Sequence, residues 1–298
     1  LARERRTPPP PAAAADLGPL LRLLRLRTGH DLATYKPATV LRRVARRRQV
    51  TRCRDLAAYT DHVRDHPEEA DRLFRDLLIS VTSFFRDPSA FTALAERALP
   101  PLFERLGDDE PLRAWVVGCA TGEEAYSLAM LLVEARERRR APTPIQVFAS
   151  DLDDDALAIA REGRYPKGIA ADLAPDRLHR FFKEGDDTFT VRKSLRELVL
   201  FTRHDLLKDP PFLRLDLISC RNLLIYLARE TQQQLAGLFH YALKPGGVLF
   251  LGSAESVDAP ELFEVVQREA RLHRARPHGG PTLPRLPMPR VRAQGTCR

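Results

Sequence analysis

In the stretch WVVGCATGEEAYS (Trp115 to Ser127), two glycines, Gly118 and Gly122, frame a short loop that runs straight into two carboxylates, Glu123 and Glu124. The pattern is that of a strand end, a tight loop and a helix start. A helix N-terminus offers free backbone N–H groups and ordinarily suits a phosphate. Here the glycines are too few for a full dinucleotide fingerprint, and the paired acids would repel a pyrophosphate. A carboxylate at the helix start would attract a cation instead. Gly118 lets the backbone approach a ligand without a Cβ, and Ala120 is small. Taken alone, the loop is equally well a plain tight turn.

S-adenosylmethionine fits such a loop, because it carries a sulfonium and an α-ammonium and no phosphate. A second acid sharpens the case. The run IQVFASD ends in Asp151, at the tip of the next strand, where a carboxylate can accept hydrogen bonds from ribose hydroxyls. Asp151 could equally cap the helix that follows, DDDALAIAREG. The run LDLISCRN then brings Asn222 beside the site, and LKPGGVLFLGS supplies a Pro-Gly-Gly turn and a buried strand. The tetrapeptide DPPF (Asp209 to Phe212) mimics an amino-methyltransferase motif but precedes LDLISC instead of following it, so it is a turn. The histidines show no metal-ligand spacing, and no metal is expected. Cys119 and Cys220 are space-filling beside strand ends, and the four cysteines contain no C-x-x-C pair.

The elements that must hold these residues follow from the texture of the chain. From about Arg113, short β-rich runs (LRAWVV, IQVFASD, LVLFTRHD, LDLISCRN, GGVLFLGS) alternate with helical stretches. That alternation predicts a parallel sheet covered on both faces. A longer segment between the second and third runs, within residues 163–200, contains DDTFTVRKSL and predicts an inserted antiparallel hairpin. Before the sheet, residues 16–85 read as a small helical domain, with Val40, Leu41, Val44 and Val50 as the apolar positions of PATVLRRVARRRQV. The sheet domain is expected over 86–275, and the Pro-rich ends, 1–15 and 276–298, are expected to be disordered.

The 298 residues carry a formal charge of +8, distributed as +10 over residues 1–60, +7 over 271–298 and −9 between them. An acidic body argues against an enzyme that wraps nucleic acid around its catalytic domain. No apolar run of about 18 residues is present, so no membrane insertion is expected. With few cysteines and no signal peptide, the chain is expected in the cytoplasm. It begins at Leu1 rather than Met, which suggests a piece of a longer protein.

Five stretches occur in a familiar order: VTSFFRDPSAF, GCATGEEAYS, FASDLD, SCRNLLIYL and LKPGGVLFLGSAE. With the helical domain before them, they resemble the chemotaxis receptor methyltransferases (CheR) over roughly residues 17–275. The wording of RTGHDLATYKPATVLRRVARRRQV is especially similar to the methyltransferase portion of CheB–CheR fusions, so an upstream CheB-like domain is one expectation for the full-length protein. The resemblance implies a class I S-adenosylmethionine-dependent methyltransferase with a Rossmann-like sheet, a small N-terminal helical domain and an inserted β-subdomain. It implies cofactor contacts at Ser80, Thr82, Arg86, Glu123, Asp151, Asp205, Leu206, Asn222 and Leu223, beside Gly118 and Ala120. Ser80 and Asp205 depart from the family pattern, which more often has Asn at both positions.

The reaction so implied is methyl transfer to a receptor glutamate, giving a γ-glutamyl methyl ester and S-adenosylhomocysteine. A glutamate with a pKa of about 4.3 is already ionised, so no general base is needed. Catalysis is then positioning. Arg86 and Tyr226 are the candidates to hold the incoming carboxylate. Arg86 could instead form a surface ion pair with Asp87 or Glu96, and Tyr226 could be a core aromatic. Arg42, Arg43, Arg46 and Arg47 form a basic face suited to the acidic cytoplasmic helices of a receptor. The short turn Gly185–Asp186–Asp187 in the hairpin implies that a receptor's C-terminal pentapeptide tether is not required. Two other classes stand beside this one. An RNA methyltransferase would place aromatics among the arginines, and residues 36–54 have none. A catalytically weak cofactor-binding sensor would lack Arg86, Glu123, Asp151 or Tyr226, and all four are present.

Overall fold

Leu17, Leu20 and Leu24 recur at helical spacing and form the buried stripe of α1 (Leu17–Thr28). The computed structural model describes residues 17–78, 81–107, 110–140 and 142–277. Of the ends expected to be disordered, 1–15 and 276–298, residues 1–15 and 278–298 lie outside the described residues, whereas Arg276 is hydrogen-bonded to Leu262 and Pro260. The described residues fold as two units: residues 17–78 with Tyr226–Ala228, and residues 81–225 with 229–277.

The first unit is helical. After α1 come α2 (Pro37–Thr51), α3 (Leu56–Asp65) and α4 (Pro67–Leu77). Proline opens α2 and α4, where its missing N–H costs nothing. Asp55 caps α3 by accepting from the Ala58 N–H. Val40 and Val44 are buried and Leu41 packs against the same core, but Val50 is 63% exposed. Ten residues beyond Val40 the helix has made two full turns and about 280° more at 3.6 residues per turn, which carries Val50 off the apolar stripe. The segment Tyr226–Ala228 completes this unit. The Tyr226 carbonyl accepts from the Lys36 N–H (2.8 Å), Ala228 donates to the Thr34 carbonyl (2.8 Å), and Tyr35 bridges Leu227.

The second unit runs α5 (Pro88–Ala93), α6 (Leu99–Arg105), β1 (Leu112–Val117), α7 (Glu123–Arg139), β2 (Ile145–Asp151), α8 (Asp154–Glu162), β3 (Arg164–Pro166), α9 (Pro175–Phe181), β4 (Phe182–Glu184), β5 (Thr188–Val191), α10 (Lys193–Arg196), β6 (Val199–Arg203), β7 (Leu215–Cys220), α11 (Arg229–Ala242), β8 (Leu243–Leu251), β9 (Phe263–Gln267) and β10 (Leu272–Ala275). Seven strands form one sheet in the order β6-β2-β1-β7-β8-β10-β9. The first five are parallel, and β10 runs antiparallel to both its neighbours. The chain winds outward from β1 to β2 and β6, then returns to β7 and β8. A crevice therefore opens at the carboxyl ends of β1 and β7, the usual ligand position in such Rossmann-like sheets.

No helix covers the crossover from β6 to β7. Its place is taken by an aromatic loop. Phe212 of DPPF stacks on Phe148 (4.5 Å) and meets Trp115 edge-on (5.2 Å), and His204 also packs on Trp115 (5.4 Å). The inserted subdomain is three-stranded, in the order β3-β5-β4. The expected hairpin is β4–β5 with residues 185–187 as its turn, and β3 pairs on the far side of β5. Phe84 meets Tyr165 and Phe182 of the insert edge-on at 5.0 and 5.5 Å, so the insert packs behind the turn that carries Arg86.

Candidate cofactor and substrate site

The loop after β1 curls because Gly118 (φ 68°), Ala120 (φ 46°) and Gly122 (φ 96°) all take left-handed backbone. Only glycine suits position 122: a Cβ there would lie 2.9 Å from the Ala160 Cβ and 3.1 Å from the Tyr165 hydroxyl. At Gly118 a Cβ would lie 3.4 Å from a Leu223 methyl, so the bare backbone lets the loop after β7 come close. Ala120 has no such freedom and is held by its N–H, which donates to Asp151 Oδ2 (2.8 Å).

Asp151 ties two strand ends together. Its Oδ1 accepts from the N–H groups of Leu152 (2.7 Å) and Asp153 (3.0 Å). The cap of α8 is Asp153, which accepts from Asp155 and Ala156 (both 3.1 Å). The sequence alternative that Asp151 caps this helix is therefore corrected. Three donors leave Asp151 one lone pair on Oδ2, suited to a single ribose hydroxyl. Burial pushes the Asp151 carboxyl upward, against the pull of those three N–H donors.

The two acids at the start of α7 have different fates. Glu124 turns inward: Oε1 accepts from the Ser219 hydroxyl (2.7 Å) and Oε2 lies 3.6 Å from the Arg221 guanidinium. Glu123 accepts from the Thr121 hydroxyl (2.6 Å) and meets no Lys or Arg within ion-pair distance among the described residues. Burial raises its pKa, with the Thr121 bond opposing. Of the two acids, Glu123, the one that the resemblance implies for the cofactor, stays available, and Glu124 is engaged inside the fold.

The other loops close round the same crevice. His204 donates its N–H to the Asp151 carbonyl (3.1 Å), which joins β6 to β2. Asp205 is 9% exposed and is already engaged by the Leu207 N–H and Lys208 (3.4 Å), and Leu206 is buried. Asn222 takes left-handed backbone (φ 60°) and donates its N–H to Glu255 Oε2 (2.9 Å). Glu255, 3% exposed, also accepts from Gly252 (2.7 Å) and Ile225 (3.3 Å). Sequence reasoning quoted Glu255 within LFLGSAE but gave it no role. Its signal is a lone acid just past an apolar strand. Burial pushes the Cys119 and Cys220 thiols well up, so neither is a nucleophile at neutral pH.

Arg86 is exposed, and its Nη1 donates to the Val81 carbonyl (3.1 Å). Neither Asp87 nor Glu96 is its partner; Asp87 pairs with Arg221 (2.9 Å). Thr82 is half-buried in the same turn, and Ser80 lies outside the described residues. Tyr226, half-buried, belongs to the helical unit, as do Arg42, Arg43, Arg46 and Arg47. Arg42 and Arg46 are exposed, and Arg43 is half-buried. Arg47 is corrected from a receptor contact to a structural residue. It grips Glu69 through two bonds (2.8 and 2.6 Å), and the Tyr59 hydroxyl donates to the same carboxylate (2.8 Å).

The crevice fits S-adenosylmethionine. An unpaired acid at a helix start suits an ammonium, one open lone pair on Asp151 suits a ribose hydroxyl, and Leu206 and Leu223 supply apolar surface for a base. No helix among the described residues is long and apolar enough to cross a membrane. Residues 80–272 match the family model for the CheR methyltransferase SAM-binding domain, and residues 15–78 match that for the CheR methyltransferase all-alpha domain. The chain is 33% identical over 243 residues to a chemotaxis protein methyltransferase of Listeria monocytogenes, covering 80% of this chain and 89% of that one. It is 35% identical over 241 residues to chemotaxis protein methyltransferase 2 of Pseudomonas aeruginosa, covering 79% and 84%. It is 41% identical over 274 residues to an uncharacterized 104.1 kDa protein of Rhodobacter capsulatus, covering 91% of this chain but only 29% of that one. With both of its domains matched in order, the chain belongs to the CheR family of S-adenosylmethionine-dependent chemotaxis methyltransferases.

Proposed function

We propose that the chain transfers a methyl group to glutamate side chains of chemoreceptors, forming γ-glutamyl methyl esters, and that Arg86 holds the incoming carboxylate. The observation that carries this is an exposed guanidinium with no acidic partner among the described residues, in the turn joined through Asp87 and Arg221 to the cofactor helix α7. The cofactor, when bound, supplies an electrophilic methyl carbon on a sulfonium. Glu123 binds its ammonium, Asp151 its ribose, and Leu206 and Leu223 line its base; Asp205, Asn222 and Thr82 complete the pocket. The acceptor glutamate arrives ionised, so the protein orients it and moves no proton. Arg86 must not hold it too firmly, because gripping the ground-state anion equally would not speed the transfer. Tyr226 is the second candidate donor to that carboxylate. Arg86→Ala is expected to lower kcat at least about 100-fold while S-adenosylhomocysteine affinity changes less than about 5-fold. Calorimetry and initial rates on receptor membranes check this; an unchanged kcat removes Arg86 from the reaction.

Receptor recognition is assigned to the helical unit, through the exposed Arg42 and Arg46 meeting acidic receptor helices on the cytoplasmic side. A pentapeptide tether is not required. Supporting this, both edge strands of the insert, β3 and β4, are three residues long, and β3 contains Pro166, so either edge offers few main-chain bonds to an added strand. An upstream CheB-like domain is a further part of this proposal; the chain spans 29% of the length of the Rhodobacter capsulatus relative.

A further inference from the structure

We infer that Arg221 is a positioning residue for Arg86: its buried guanidinium neutralises Glu124 and Asp87, and so leaves Arg86 free to meet the incoming carboxylate. The inference rests on the reading of Arg86 given above. Arg221 follows directly on β7, and none of its side chain is exposed. Its Nη2 lies 2.9 Å from Asp87 Oδ2, and its Nη1 lies 3.6 Å from Glu124 Oε2. The guanidinium sits between two aromatic rings, 4.9 Å from the Phe91 centroid and 4.7 Å from that of Phe250.

The turn that carries Arg86 is under strain on both sides. Phe85 (φ 48°) and Asp87 (φ 61°) both take left-handed backbone, which non-glycine residues adopt only when held. Phe85 is held by its N–H, which donates to Ser127 Oγ on α7 (3.0 Å). Asp87 is held by Arg221. The direction of Arg86 is thus set from the cofactor helix on one side and from the end of β7 on the other.

Charge gives the second half of the inference. Glu124 has 13% of its side chain exposed, and Asp87 has 38%. Without a cation beside it, the more buried acid would recruit the nearest free guanidinium. Arg86 adjoins Asp87, which shares the Arg221 guanidinium with Glu124. Arg221 satisfies the acid first. It is a poor device for stability: its Nε and Nη1 are buried without a hydrogen-bond partner among the described residues, and an apolar side chain of similar length would pack between the two rings at less cost.

The test compares Arg86→Ala, Arg221→Gln, Arg221→Lys and the double variant Arg221→Gln/Glu124→Gln in this chain. It measures kcat and KM on receptor membranes and S-adenosylhomocysteine affinity by calorimetry. Arg221→Gln is expected to lower kcat about 50-fold with affinity changed less than about 3-fold. Removing the stranded acid in the double variant should restore kcat about 10-fold, and Arg221→Lys should stay within about 5-fold of the parent. A role in packing alone would lower affinity together with kcat and give no recovery in the double variant; either result overturns the inference. If Arg221→Gln does not fold, an Arg221→Lys protein with native affinity but a kcat as low as that of Arg86→Ala overturns it equally. If Arg86→Ala itself leaves kcat unchanged, the reading of Arg86 fails, and this outcome is distinct from the others.

Discussion

Glu123 and Glu124 are one position apart, and their carboxylates meet opposite surroundings. Glu124 is compensated by Arg221 and Ser219; Glu123 accepts from the Thr121 hydroxyl and meets no Lys or Arg within ion-pair distance among the described residues. Burial raises the Glu123 pKa above its ordinary 4.5. A ligand ammonium favours the ionised form. Cofactor affinity should therefore be full well above the raised value and fall as pH drops through it, starting at a higher pH than for an ordinary glutamate. Stability without ligand runs the other way. The proton-bound carboxyl favours the folded state, so this contribution is present below 4.5 and is lost as pH rises through the raised value. Glu123→Gln is expected to weaken S-adenosylhomocysteine binding about 10-fold at pH 7.5 and to flatten the acid limb of its pH dependence. The same variant should melt at a higher temperature than the parent at pH 7.5. Calorimetry and thermal melts check both; a steep acid limb that persists in the variant would assign the dependence to another group.

At the scale of elements, α2 carries two arginine rows with different work. Arg42 and Arg46, four residues apart, face solvent; Arg47 is spent on Glu69, whose side chain is only 1% exposed. Arg47→Ala removes the closest cation from that carboxylate, leaving it the Tyr59 hydroxyl and Arg72 at 3.9 Å, and should destabilise the protein by about 3 kcal/mol. Arg42→Ala with Arg46→Ala should cost under about 1 kcal/mol in total and should raise the receptor KM and weaken its salt dependence. Denaturant titration beside KM at two ionic strengths separates the two rows. A fall in stability from Arg42 and Arg46 comparable with that from Arg47 would contradict the assignment. The sequence could not separate them, because the partner of Arg47 lies 22 residues away on another helix. The five parallel strands were legible as apolar runs, and the glycine loop as a turn into acids. The strand β3 was not legible, because Arg164–Pro166 is three residues with one buried side chain. The hairpin β9–β10 was not either, since Phe263–Gln267 and Leu272–Ala275 interleave charges and form edge pairs that leave little apolar pattern. In the site, Asp151 was legible by its position at a strand tip. Glu255 and Arg221 were not, because their roles depend on which backbone N–H groups and acids the loops bring to them.

Across the whole chain, basic charge is concentrated in residues 1–60 (+10) while residues 61–270 sum to −9. The sheet unit brings together an acid for an ammonium, an acid for a ribose and an unneutralised arginine, and the exposed arginines of α2 belong to the other unit. Under the proposed function, the sheet unit carries the methyl-donor chemistry and the helical unit the choice of receptor. The most direct measurement is incubation of the chain with methyl-labelled S-adenosylmethionine and receptor-bearing membranes, followed by mild alkali. The label is predicted to enter the receptor and to leave as methanol on base treatment, because a γ-glutamyl methyl ester is base-labile. The yield should fall at least about 100-fold with Arg86→Ala. Label that stays on the receptor after alkali, or no receptor label from a chain that binds S-adenosylhomocysteine normally, would contradict glutamate esterification.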